Sequence, residues 1–244
     1  MVAVAAELER DRAYRLLVDL ILAGGWRPDQ SLSERKLSDA IQMGRMPVRE
    51  ALQQLERERL IDIRPARGTV VRPLNVEDLR EVYQVREVLE CLATRLAAQK
   101  PLTPELRDRR VQMQAMAASP HAYSAAEIDD AGTALHDAIY AATGNRALME
   151  TFQPLRMRAR LAFGLPRYFD GHEAVGGLTE HLEILAAIEA REPDRAEELM
   201  RQHLRRGLEL RIRLYETRLK RGAGDSDARN GHAKTQTSSG EPER

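Results

Sequence analysis

At 244 residues, 43% apolar and only 4% aromatic, the chain is long enough for two domains with separate cores. Its 38 lysines and arginines balance 38 aspartates and glutamates, so bulk charge announces no polyanion partner and any such role must rest on where arginines sit. The single cysteine, Cys91, excludes an intrachain disulfide, and no run approaches the ~18 uninterrupted apolar residues of a membrane span. Glu7, Glu9 and Asp11 interrupt any basic-then-apolar leader pattern, so the expectation is a cytoplasmic protein without a membrane partner.

In chain order, Leu16, Leu17, Leu20 and Ile21 predict a helix over 11–23, stopped by Gly24-Gly25. Ser33 is placed to cap a second, short helix with Leu37, Ala40 and Ile41 on its apolar side. A tight turn containing Gly44 leads into a third helix over 45–59, with Pro47 in its first turn and Val48, Ala51, Leu52 and Leu55 as a docking stripe. Arg45 and Arg49 stand four apart on one side of that helix's N-terminus, an end that favours phosphate. Residues 60–64 alternate, residues 65–68 turn, and Thr69, Val70 and Val71 are β-branched, which predicts a two-stranded hairpin. Arg64, Arg67 and Arg72 form a basic cluster around it. An ordinary surface helix with solvated arginines explains the third helix alone; the ordered set of helix, helix, arginine-headed helix and basic hairpin favours a winged helix-turn-helix.

This stretch resembles the N-terminal domain of the GntR family of bacterial transcription regulators. Leu32-Ser33-Glu34-Arg35-Lys36-Leu37, Pro47-Val48-Arg49-Glu50-Ala51-Leu52, Leu55, Leu60 and Arg67-Gly68 carry the resemblance. It implies that Arg35, Arg45 and Arg49 contact DNA, that Met46, Arg67 and Thr69 belong to the same face, and that Gly68 approaches the minor groove. Gly44 and Met46 stand where the family commonly has hydroxyl residues, so an altered operator preference is expected.

From Asn75 onward the pattern is helical. Helices are predicted over 75–99, 105–118, 124–143, 146–165, 178–190 and 193–221, bounded by Pro101, Pro104, Gly144, Gly176-Gly177 and Pro193. Residues 222–244 read as a disordered tail. The expected protein is thus mainly α: a winged helix-turn-helix with a small β-hairpin over 1–74, then an all-α helical bundle over 75–221. His136, His181 and His203 lie on or beside apolar stripes of three different helices. Inward-facing imidazoles can converge on one metal ion; three independent histidines are the alternative. A metal-dependent enzyme using this cluster is the rival functional reading, although no His-Glu-x-x-His, paired carboxylates or nucleophile with a recognisable base is present.

Tyr83-x-x-Arg86-x-x-x-Glu90, Leu135-His136, Thr143-Gly144-Asn145, Glu180-His181 and Arg201-x-His203-Leu204 resemble the FCD ligand-binding domain of the FadR subfamily, in its six-helix, VanR-like variety. The resemblance implies a homodimeric regulator, a repressor, on a pseudo-palindromic operator in double-stranded DNA. It also implies a small organic-acid or sugar-acid effector, a carboxylate held by Arg86, Glu90, His136 and Asn145. One divalent transition metal (Zn, Ni or Mn) per protomer would sit on His136, His181 and His203. In metal-binding members an aspartate four residues before the first histidine completes the set; here that position is Gly132, with Asp129 as a weak substitute two turns away. Arg86 with Glu90 also reads as an exposed i,i+4 pair, and residues 156–160 offer further anion partners in Arg156, Arg158 and Arg160.

Overall fold

Ser33 starts the helix-turn-helix as its sequence position suggests: its hydroxyl accepts a hydrogen bond from the Lys36 N–H at 3.3 Å. The computed structural model describes residues 8–27, 30–72, 75–152, 155 and 171–233. The N-terminal unit comprises α1 (Glu9–Leu22), α2 (Glu34–Ile41), α3 (Arg45–Arg57), β1 (Ile61–Arg64) and β2 (Gly68–Val71). Gln42, in the left-handed region at φ 54°, ends α2, and Gly44 is the N-cap of α3. Pro47 falls in the first turn, where no intrahelical bond needs its missing N–H. Val48, Ala51, Leu52 and Leu55 are buried with Leu17 and Leu37 around Trp26, which is fully enclosed. Trp26 lies in the loop after α1, outside any periodic stripe, and its indole N–H donates to the Gln30 carbonyl at 3.3 Å.

The two strands pair antiparallel, with Ile61 opposite Val71 and Arg64 opposite Gly68. Leu32 and Thr69 exchange backbone hydrogen bonds of 2.9 and 2.8 Å, which ties the wing to the segment before α2. Gly68 has φ +87°, and a Cβ there would lie 2.6 Å from Ser31 Oγ and 3.0 Å from the Leu32 carbonyl oxygen. Gly68→Ala should therefore cost about 1–3 kcal/mol of stability in the N-terminal unit. An unchanged melting temperature would show that the wing does not need this backbone conformation.

The second unit begins with a capping box: Asn75 Oδ1 accepts from the Asp78 N–H, and Asp78 accepts from the Asn75 N–H, both at 2.9 Å. It contains α4 (Val76–Ala98), α5 (Pro104–Ala118), a 3-10 turn (Pro120–Ala122), α6 (Ala125–Thr143), helical residues 146–152, α7 (Gly171–Glu189) and α8 (Pro193–Ala233). Ser124 and Glu127 form a second capping box at the start of α6. α4 packs along α8, while α6 and α7 close the bundle around Leu79, Leu135, Ile139, Leu178, Leu185 and Leu204. Among the described residues no helix is long and apolar enough to cross a membrane.

Two boundaries differ most from the sequence expectation. α7 starts at Gly171 rather than 178, so Gly176 and Gly177 lie inside a helix. At Gly176 the approach is close, since a Cβ there would meet Arg206 of α8 at 3.1 Å. The expected tail is helical through Ala233: residues 222–233 contain no proline, so each added residue can keep its helical hydrogen bond. The predicted helix over 146–165 is borne out for 146–152; Arg156, Arg158 and Arg160 lie outside the described residues.

Candidate functional site

Two groups of residues bear on function. On the reading head, Arg45 and Arg49 do project from one end of α3, but both are held by Glu34 of α2. Arg49 donates to it twice, Nε to Oε2 at 2.9 Å and Nη2 to Oε1 at 3.0 Å, and Arg45 Nε lies 3.4 Å from Oε1. The hydrogen bond from Arg49 outweighs the opposing effect of burial and holds the Glu34 carboxyl below its usual range. Met46 is 63% exposed beside them. Arg35 is exposed, 3.9 Å from Asp39, and Arg67 is exposed at the hairpin turn. Thr69 departs from its expected role: it is buried and bridged to Leu32, so its side chain does not belong to the exposed face.

The second group is the histidine cluster. His136 from α6, His181 from α7 and His203 from α8 converge, with ligand atoms all within 4.8 Å of one another. His181 Nε2 lies 3.2 Å from the Nε2 of both His136 and His203. For tetrahedral coordination with metal–nitrogen bonds of ~2.0–2.1 Å, neighbouring donors stand about 3.3 Å apart. The far nitrogens are held by carboxylates. Glu90 Oε2 lies 2.5 Å from His136 Nδ1, and Glu180 Oε2 lies 2.8 Å from His203 Nδ1. Each glutamate has its own arginine: Arg86 Nε donates to Glu90 at 2.5 Å, and Arg206 pairs with Glu180. Two Arg–Glu–His chains thus run inward to the cluster.

These carboxylates favour one tautomer of the imidazoles they face. An Nδ1 proton directed at each glutamate leaves the Nε2 lone pairs of His136 and His203 facing inward. A single proton on His181 Nε2 can satisfy one of them and leaves the other lone pair without a donor. A cation removes that deficit, so the donor set fits a divalent transition metal. Burial, reinforced by the neighbouring imidazoles, holds the pKa of His181 and His203 well below the usual value, which favours the neutral, ligating form. Burial pushes Glu90 up, but Arg86 and His136 override it and hold its carboxyl at about 2.

Beside the cluster lies a cavity of about 380 Å³, lined by residues of α4, α6, α7 and α8 and by Asp19, Leu22 and Ala23 at the end of α1. Arg86 and His136 line it. The other two residues expected to bind effector do not. Glu90 stands behind His136, and Asn145 serves as a cap: its Oδ1 accepts from the Leu148 N–H at 3.1 Å. Asp129 lines the cavity but is paired with Arg211 at 3.5 Å and is outside the ligand group. Sequence pattern assigns no role to Glu180 and Arg206, although Arg206 follows His203 by one turn and Glu180 adjoins His181.

The exposed surface pair envisaged for Arg86 and Glu90 is a buried ion pair, 8% and 1% exposed. Removing one partner strands the other charge. Arg86→Ala should therefore cost about 3–5 kcal/mol in chemical denaturation. A loss under 1 kcal/mol would mean that Glu90 finds another cation.

Residues 9–71 match the bacterial regulatory proteins of the gntR family, and residues 81–206 match the FCD domain. The HTH-type transcriptional repressor GlaR of Escherichia coli K12 is 29% identical over 78% of this chain and 90% of its own length. The HTH-type transcriptional repressor RspR of the same organism is 27% identical over 78% of this chain and 83% of its own. In fold, the chain is similar to E. coli McbR/YncC, with a TM-score of 0.75 and 19% identity over 86% of this chain and 99% of that one. The relatives are transcription regulators, and the enzyme alternative finds no support among them. The chain belongs to the GntR family of bacterial regulatory proteins, as a transcriptional regulator with an FCD domain behind a winged helix-turn-helix head.

Proposed function

We propose that this regulator is a repressor controlled by a small organic acid or sugar acid, acting in the bacterial cytoplasm. A two-fold dimer sets α3 and the wing of each protomer on the halves of a pseudo-palindromic operator. Arg45, Arg49, Arg35, Met46, Arg67 and the backbone at Gly68 form the DNA-facing set. His136, His181 and His203 would hold a divalent metal, which supplies a Lewis-acid position for the acid's oxygens. Glu90 and Glu180 keep the Nδ1 protons and aim the Nε2 atoms, and Arg86 offers a cation at the cavity wall.

One observation carries the regulatory part. The end of α1 contributes Asp19, Leu22 and Ala23 to the cavity wall, while Ala13, Leu17 and Val18 of the same helix form the reading head's core. The cavity thus shares a wall with the helix against which α3 packs. Binding that differs between two placements of α1 shifts their populations, and with them DNA affinity.

The test is footprinting on duplexes selected from a random library, repeated with a panel of organic and sugar acids. A protected pseudo-palindrome with halves about one helical turn apart is the expected result. Protection should weaken with at least one acid. An asymmetric footprint, or one that no acid alters, would overturn the dimeric or the acid-responsive part respectively.

A further inference from the structure

The histidine cluster lacks a negative charge of its own. Among the described residues its ligating group is three imidazoles and nothing else. The two nearest carboxylates, Glu90 and Glu180, face the far nitrogens of His136 and His203, and each is neutralised by an arginine, Arg86 or Arg206. Position 132 cannot supply a carboxylate without rearrangement. The His181 ring lies over Gly132, and a Cβ there would come within 2.6 Å of its Cε1 and 3.3 Å of its Nδ1. A dication in this buried place would carry uncompensated charge, which is costly away from water.

We propose that metal and carboxylate bind this cavity as an interdependent pair, the ligand's carboxylate supplying the anionic donor that Gly132 does not. The inference rests on the metal-site reading above and adds a consequence to it. Metal affinity depends on the acid, the acid's affinity depends on the metal, and the two factors are equal by linkage. The metal then acts as a co-ligand of the effector rather than as a permanent part of the fold.

The experiment uses the full chain, nickel(II) as the metal and acetate as the probe, since acetate is small enough for any open position. Nickel affinity is measured by chelator competition in acetate, in acetamide and in sodium chloride at matched ionic strength. Acetate affinity is measured with and without nickel. Acetate should tighten nickel binding roughly tenfold, within the usual range of coupling between two sites. Acetamide should not, and acetate should bind the nickel-loaded protein tighter by the same factor. Gly132→Asp, if His181 can swing aside, should bind nickel tightly alone and lose the acetate effect.

Nickel bound at about one per protomer with equal affinity in all three media would overturn the pairing and leave the metal site standing. No nickel retained in any medium would instead overturn the metal-site reading, and the pairing with it.

Discussion

Arg49→Ala should lower operator affinity by roughly tenfold to a hundredfold, the equivalent of the ~1–3 kcal/mol that a bidentate arginine contributes in a DNA groove. The guanidinium is already organised for this task. Glu34 holds it through two hydrogen bonds and holds Arg45 through the same carboxylate, so both forks are presented from one helix end. Lysine should not rescue the loss, because a point charge cannot make the paired contact. Glu34→Ala separates orientation from charge. It removes an anion from the DNA-facing side, so non-specific affinity should rise, while the ratio of specific to non-specific binding falls. Fluorescence anisotropy on a selected duplex and on a scrambled one checks both variants. Equal affinity of Arg49→Ala and the parent protein for the selected duplex would displace α3 as the reading helix.

The second large effect is expected at the cluster. Protein purified without a tag and soaked in zinc, nickel or manganese together with acetate should retain about one divalent ion per protomer, and His136→Ala should retain none, because two neutral imidazoles are a poor site. Glu180→Gln is the subtler variant. It keeps an acceptor for His203 Nδ1 but removes the charge that makes the imidazole a better donor, and it leaves Arg206 without its anion. Metal affinity should fall about 10–100-fold. Elemental analysis and chelator competition read both. Identical metal content in the parent and in His136→Ala would end the metal assignment.

Much of the reading head was legible because its signals are local. Ser33 caps, Pro47 sits in a first turn, and Val48, Leu52 and Leu55 recur at helical spacing, so α2, α3 and their docking follow from neighbours within a few residues. The three histidines were legible for the same reason: each lies on or beside an apolar stripe, and three such stripes in a bundle face one interior. Thr69 was misplaced because the Leu32 bridge that buries it joins segments 37 residues apart, beyond any periodic pattern.

Sequence by itself determined the element types, the two-domain plan and the identity of the candidate ligands, since helical periodicity, caps and turns are written in short windows. Only the tertiary structure decided what surrounds those ligands. Gly176 and Gly177 read as a helix boundary, yet they lie inside α7, where the Arg206 side chain of α8 passes close to Gly176 and pairs with Glu180. Arg86 and Glu90 also read as a surface pair, yet the packing of α4 against α6 and α8 buries them, Glu90 behind His136 and Arg86 at the cavity wall. Asn145 read as a ligand-binding residue, yet it spends its oxygen on a helix end. A residue's type says which bonds it can make, but which partner comes within reach is set by helices packed from distant parts of the chain.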